Sequence, residues 1–301
     1  MPSALRVSIW LPLALLLVTL PALGQLHDEI LAGVIDFHCH TGPDALPRSL
    51  SDLELARLAK SAGMRGLVLK NHYTMTADRA ALVMREVEGL EVFGGIVLNR
   101  AVGGLNAEAV HRMIQFEGRR GKVVWLPTFD AENQARNDKE NRLFVSVVKA
   151  GRLVPELSEI FQLIASNNLV LATGHSSPEE SLILIPEARK VGVKHILITH
   201  ATELGANKAQ IREMAGLGAI IECVWMPQVK NKDKVAEYAA LIKAIGAEHF
   251  LISSDLGQYL NPLHTDGLRA FILGLREQGI NDTGIDLMAR QNPARLLGLS
   301  D

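Results

Sequence analysis

From about residue 30 onward, short apolar runs alternate with segments whose apolar residues recur at helical spacing, the pattern of parallel strands joined by helices. Eight runs read as strands: 33–37, 66–69, 92–98, 122–126, 169–173, 195–199, 219–224 and 250–253. Helical stretches fall near 52–61, 77–87, 107–116, 155–165, 178–190, 208–215, 232–245 and 266–278, and a last helix spans 285–297. Ser51, Thr76, Asn106, Ser177 and Asn231 stand just ahead of helical periodicity, where a side-chain oxygen can accept the first free backbone N–H groups. Eight successive βα units predict an α/β fold, a single (β/α)8 TIM barrel with a C-terminal helix. The connection after strand 4, 128–154, is long. It carries what reads as a small hairpin turning at Ala150-Gly151, and its position predicts a lid over the barrel mouth.

The first 24 residues do not continue this pattern. Arg6, the apolar run from Val7 to Leu20 and the small-residue stretch Ala22-Leu23-Gly24 read as a signal peptide cleaved before Gln25. That divides the chain into a leader, 1–24, and a barrel domain, 25–301, and predicts an exported protein, periplasmic or secreted. The leader's apolar run is short for a membrane span, and no second run of its length follows, so no stable membrane insertion is expected after cleavage. Removing Arg6 shifts the net charge only from −2 to −3, which argues against nucleic acid or an anionic membrane surface as partner. The two cysteines, Cys39 and Cys223, fall on strands 1 and 7, which are not neighbours, and are expected to be free buried thiols.

Chemistry concentrates at the strand ends. His38 and His40 close strand 1, where residues two apart share a face and lie ~6–7 Å apart, close enough for two imidazoles to hold one ion. Ile35, Phe37 and Cys39 should then alternate onto the opposite face. Lys70 ends strand 2, His175 strand 5, His200 strand 6 and Asp255 strand 8, and a barrel gathers all these ends at one mouth. Asn99 and Arg100 after strand 3, Asp130 after strand 4 and Gln258 after strand 8 are candidate substrate contacts, although Asp130 reads equally well as a loop carboxylate capping a helix. His72, Trp225 and His264 are weaker candidates for the pocket lining, and Asp44 and Arg48 can instead pair with each other.

In this order, HxH on strand 1, single histidines on strands 5 and 6 and an aspartate on strand 8, the chain resembles the amidohydrolase superfamily of metal-dependent hydrolases. The closing Asn292-Pro293-Ala294-Arg295-Leu296-Leu297-Gly298-Leu299 is also similar to that of many members, and the segments 36–44 and 174–180 look like an uncharacterised branch. The resemblance implies that His38, His40, His175 and Asp255 bind metal. His200 then binds a second ion or polarises the substrate, and Asp255 also moves the proton. Many binuclear members place a bridging ligand at the end of strand 4, where this chain has Pro127-Thr128-Phe129-Asp130. Lys70 on strand 2 is the candidate replacement as a carboxylated, metal-bridging lysine; the alternative is a lysine cation paired with Asp36 or Asp255.

Nitrogen-rich, oxygen-finished donors suit one or two Zn2+ ions, with Mn2+ or Fe2+ as alternatives. The leading expectation is a hydrolase that uses metal-activated water on a small carbonyl (amide, lactone or ester) or phosphoryl substrate. A metal-dependent non-oxidative decarboxylase comes second, and a non-catalytic metal- or metabolite-binding barrel third. The expected partner is a small molecule, and a homo-oligomer is compatible with everything above.

Overall fold

The computed structural model describes residues 29–139, 141–225 and 232–300. The leader 1–24 and the cap Asn231 lie outside the described residues. β1 (Ile35–His40), α1 (Asp52–Ser61), β2 (Gly66–Lys70), α2 (Ala77–Glu86), β3 (Glu91–Val97), α3 (Ala107–Gln115) and β4 (Gly121–Trp125) form the first half. The long connection then adds α4 (Glu132–Asn137) and the antiparallel hairpin β5 (Val148–Lys149) and β6 (Arg152–Leu153) before α5 (Leu157–Ser166). The second half runs through β7 (Val170–Ala172), α6 (Pro178–Val191), β8 (His195–Ile198), α7 (Lys208–Gly216), β9 (Ile220–Val224), α8 (Lys232–Ile245), β10 (Phe250–Ser253) and α9 (His264–Glu277). Finally α10 (Asp282–Asp286) passes through a π-helical turn, Leu287–Gln291, into α11 (Asn292–Leu297).

The sheet order is β1-β2-β3-β4-β7-β8-β9-β10, all parallel. Cys39 pairs in parallel with Leu256, and Asp255 N–H donates to His38 O (2.9 Å) and His40 N–H to Leu256 O (2.8 Å), which joins the last strand to the first. The predicted (β/α)8 barrel is therefore the observed fold. No described helix is long and apolar enough to cross a membrane.

Two apolar layers hold it. Between the sheet and the helices lie Leu67, Leu69, Ile96, Phe161 and their neighbours; inside the barrel lie Ile35, Phe37, Val68, Val123, Trp125, Leu197 and Leu251. Ala294, Leu296 and Leu297 of α11 extend the inner layer, and Asn292 ties that helix down by donating to Phe250 O (2.6 Å). Ser51 and Ser177 form capping boxes with Glu54 and Glu180, and Asn106 accepts from Ala109 N. Thr76 departs from the expectation: its hydroxyl donates to Leu69 O (2.7 Å) and accepts from Gly95 N (2.9 Å), so it fastens two strands rather than capping α2. Both cysteines are free and buried.

Strict alternation fails on β1. Ile35 and Phe37 face the barrel interior, whereas Cys39 joins the helix-side layer. The register shifts between Asp36 and Cys39, and a bulge there changes which parity points inward. Asp36 holds this end of the strand through Oδ1, which accepts from His38 N (3.3 Å) and from Ser254 N (2.8 Å) beyond β10.

Candidate metal centre

Three strand ends meet at one point of the mouth. His38 Nε2 lies 3.0 Å and His40 Nε2 3.2 Å from Asp255 Oδ1, and these donors can converge on one ion. Lys70 Nζ stands 2.9 Å from His38 Nε2, with Lys70 paired across the sheet to His40. His200 stacks on His38 at 6.0 Å between ring centroids, and His175 meets His200 edge-on at 5.0 Å. His40, Lys70, His175, His200, Asp255 and Gln258 all line one cavity of about 330 Å³ at this mouth. His72 and Phe129, stacked at 3.9 Å, form its wall, with Leu46, Arg48 and Asn261.

The backbone is arranged for this convergence. His200 and Asp255 both have positive φ, 26° and 51°, a conformation that costs non-glycine residues roughly 1–3 kcal/mol and recurs at functional sites. Gly257, at φ 124°, lets the following loop press against the His40 carbonyl, where a Cβ would overlap the backbone. Ser49 N–H donates to Gly257 O (2.9 Å), so the loop after β1 and the loop after β10 are clamped together over the histidine pair.

Buried partners set the imidazoles. His38 Nδ1 faces Glu222 Oε1 at 3.1 Å, and Glu222, 1% exposed, also accepts from Ser253 Oγ (2.6 Å) and His200 N (3.3 Å). A carboxylate only accepts, so the His38 proton sits on Nδ1 and frees Nε2 as a donor atom for metal, the usual second layer of a histidine–metal site. Gln134 Oε1 treats His175 Nδ1 in the same way at 2.9 Å. His200 Nδ1 is buried and has no hydrogen-bond partner. The donor set and its carboxylate backing fit a divalent ion bound through His38, His40 and Asp255, with His175 and His200 beside it.

The charges without an ion follow from burial and neighbours. Burial opposes charge on His38, but Asp255 and Glu222 outweigh it and raise its pKa to about 9. Burial lowers His40 to about 3 and Lys70 to about 8, and also lowers His72, His175 and His200. Burial would raise Asp255 and Glu222, yet the neighbouring histidines, His38 above all, hold both below their ordinary range.

Asn99, Arg100 and Asp130 lie outside this cavity. Asn99, 1% exposed, accepts from Thr128 N (2.8 Å) and Asp130 N (3.2 Å) and donates to His72 O (3.0 Å) and Thr128 Oγ1 (2.8 Å), so its amide is consumed in pinning two loops. Asp130 Oδ2 accepts from Arg100 N (2.8 Å), and the Arg100 side chain instead lines a separate cavity with Phe144 and Lys149. The hairpin of the long connection borders that second cavity. Phe129, Asn133 and Gln134 are the parts of the connection that reach the metal cavity or His175. Trp225 is packed in the helix-side core, and His264 is buried with Nε2 3.1 Å from His40 O. Asp44 and Arg48 do pair, at 2.6 Å. Sequence reasoning passed over Glu222, although a lone acid inside an apolar strand was its signal; Gln134 carried none.

The fold and the cluster define a (β/α)8 barrel with metal-donor side chains at its C-terminal mouth. The chain belongs to a family of unknown function (DUF6282), whose model matches residues 33–222. No curated protein sequence matches it. Among solved structures it is similar to an amidohydrolase from Burkholderia multivorans with bound zinc, at 11% identity and TM-score 0.62, over 89% of this chain and 100% of that one. It is also similar to 2,6-dihydroxybenzoate decarboxylase from Rhizobium (11%, TM-score 0.54, 89% and 99%) and to a TatD homolog from Escherichia coli (16%, TM-score 0.57, 90% and 100%). At these identities the likeness carries the barrel fold.

Proposed function

We propose that the chain is a metal-dependent hydrolase of the amidohydrolase type, acting on a small carbonyl or phosphoryl substrate in the cavity between Phe129 and Asp255. One observation carries this reading: His38 and His40 from the end of β1 and Asp255 from the end of β10 converge on one point while Glu222 holds the His38 proton on the far ring nitrogen. Zinc fits these donors, and it is the ion in the Burkholderia multivorans structure. A divalent ion bound there would supply Lewis acidity and a water whose pKa falls toward ~7.

The chain's own residues supply the rest. Asp255, ionised at neutral pH, accepts the proton of the attacking water and returns it to the leaving group. His200, with Nδ1 unpartnered and the ring facing the cavity, polarises the substrate oxygen or serves as a further ligand. Phe129 and His72 exclude water from one side. Asp255→Asn tests the assignment: plasma emission should find zinc retained, because the amide oxygen still coordinates, while turnover on a panel of lactones, esters and phosphoesters is lost. By contrast His38→Ala and His40→Ala should lose zinc, and equal zinc loss in all three variants would contradict a separate proton-transfer role.

Decarboxylation is the second reading, favoured by the strand 4 end. There Thr128 Oγ1 is spent on His72 Nδ1 and Asn99 Nδ2, both at 2.8 Å, and no carboxylate replaces it, which suits a site with one ion. Carbon dioxide release from hydroxybenzoates with one zinc per chain would select it.

A further inference from the structure

The loop after β1 places a guanidinium inside the candidate active site. Arg48's side chain is 4% exposed and lines the metal cavity. A single 2.6 Å contact from Nε to Asp44 Oδ2 anchors it, and Asp44's side chain is itself fully buried. This is not the two-pronged pairing that saturates an arginine, because the terminal nitrogens are left out of it. Nη2 reaches His40 Nδ1 at 3.4 Å, and among the described residues Nη1 has no hydrogen-bond partner. Arg48 also pairs with Gln258 in an isolated antiparallel bridge, so its backbone is fixed between the two loops that close over the site.

The contact with His40 is compatible with only one imidazole tautomer. Arginine can only donate, so His40 Nδ1 accepts, and the ring proton of a neutral imidazole must then sit on Nε2. Nε2 is the atom that faces Asp255 Oδ1 and belongs to the metal-donor group. Ligation through Nε2 requires the proton on Nδ1, which sets two N–H donors against each other across 3.4 Å. An acceptor carrying negative charge, entering between them from the cavity, resolves the conflict.

We infer that Arg48 is the substrate-anion receptor of this site and that the substrate is a small carboxylate with a flat or apolar body. The carboxylate would lie on Arg48 and the Nδ1 side of His40, and its body against Phe129 and Leu46. A cavity of about 330 Å³, at the small end of the ~300–1,000 Å³ typical of ligand sites, sets the size to that of a compact organic acid. The inference rests on the metal reading above, because ligation of His40 is what releases the guanidinium.

Benzoate and its neutral isostere benzamide probe it, with affinities measured by calorimetry on the zinc-loaded full chain. Zinc content is determined first by plasma emission, so that a chain without zinc is recognised as a failure of the metal reading. In a chain without zinc Arg48 stays engaged by His40, so benzoate binding there that disappears in Arg48→Gln would overturn the role given to His40 ligation. The expected result is benzoate binding weakened roughly 10- to 100-fold in Arg48→Gln, with zinc content unchanged, since hydrogen bonds to charged groups contribute about that much. Arg48→Lys, which keeps the charge without the fork, should fall between. Because Arg48→Gln strands the buried Asp44 carboxylate, the double variant Asp44→Asn/Arg48→Gln provides a folded comparison and should show the same loss. Equal benzoate affinity in wild type and variants, or equal affinity of wild type for benzoate and benzamide, overturns the assignment.

Discussion

Glu222→Gln is the substitution that most directly tests how this site is held together. The side chain keeps its shape and loses its charge, in a place where it accepts from His38 Nδ1, Ser253 Oγ and His200 N. Two of those bonds change from charge-assisted to neutral, at a loss of about 1–1.5 kcal/mol each. The new NH2 group must also face either the His200 N–H or the protonated His38 Nδ1, leaving one buried donor unpaired at about 1–3 kcal/mol. The metal-free protein should therefore lose roughly 3–6 kcal/mol, close to the ~3–5 kcal/mol expected when one partner is removed from a buried pair. Zinc affinity should fall about 10- to 100-fold, because His38 no longer has its proton fixed away from Nε2. Urea unfolding of the metal-free protein measures the first quantity, and competition with a chromophoric zinc chelator the second. Zinc affinity within twofold of wild type, with stability reduced as expected, would show that Glu222 merely fills the core and does not orient the ligand.

In metal-free protein, His38 has a folded pKa of about 9 against an ordinary 6.5, so its contribution is complete below pH 6.5 and is lost as pH rises toward 9. Between pH 6.5 and 8 this amounts to roughly 1.5 kcal/mol, opposed by the histidines that burial keeps neutral, so it is read on His38 itself: NMR of the metal-free protein should show one imidazole, absent in His38→Gln, titrating near 9, and a His38 signal titrating at or below 6.5 refutes the His38–Asp255–Glu222 arrangement. Lys70 is buried beside His38 with its pKa lowered to about 8, which leaves neutral amine available to carbon dioxide. Zinc-loaded protein prepared with bicarbonate is expected to carry an added carboxylate on Lys70 in native mass spectrometry, and one zinc per chain with unmodified Lys70 would rule out the bridge. N-terminal sequencing of the protein from its native host should begin at Gln25, and a chain still starting at Met1 in the cytosol would refute export.

The periodicity of the chain was enough to reveal eight βα units, because each strand buried on both sides must be an apolar run and each covering helix an amphipathic one. The candidate ligands were legible for the same reason: His38, His40, His175, His200 and Asp255 are polar residues at the ends of such runs, and a barrel brings strand ends together whatever their separation in sequence. What supports them depends on contacts that local pattern does not encode. The bulge that turns both Phe37 and His38 inward is flanked by Asp36, which is fastened to Ser254, 218 residues away. Glu222 reads as an odd acid in an apolar strand until His38, two strands round the barrel, is seen against it. Asn99 looked available for substrate only while its partners Thr128, Asp130 and the His72 carbonyl were unknown. Arg48 gained its place in the site when the loops after β1 and β10 closed on each other. Sequence specified which side chains could do chemistry; tertiary structure decided which of their atoms were already satisfied and which were left facing the cavity.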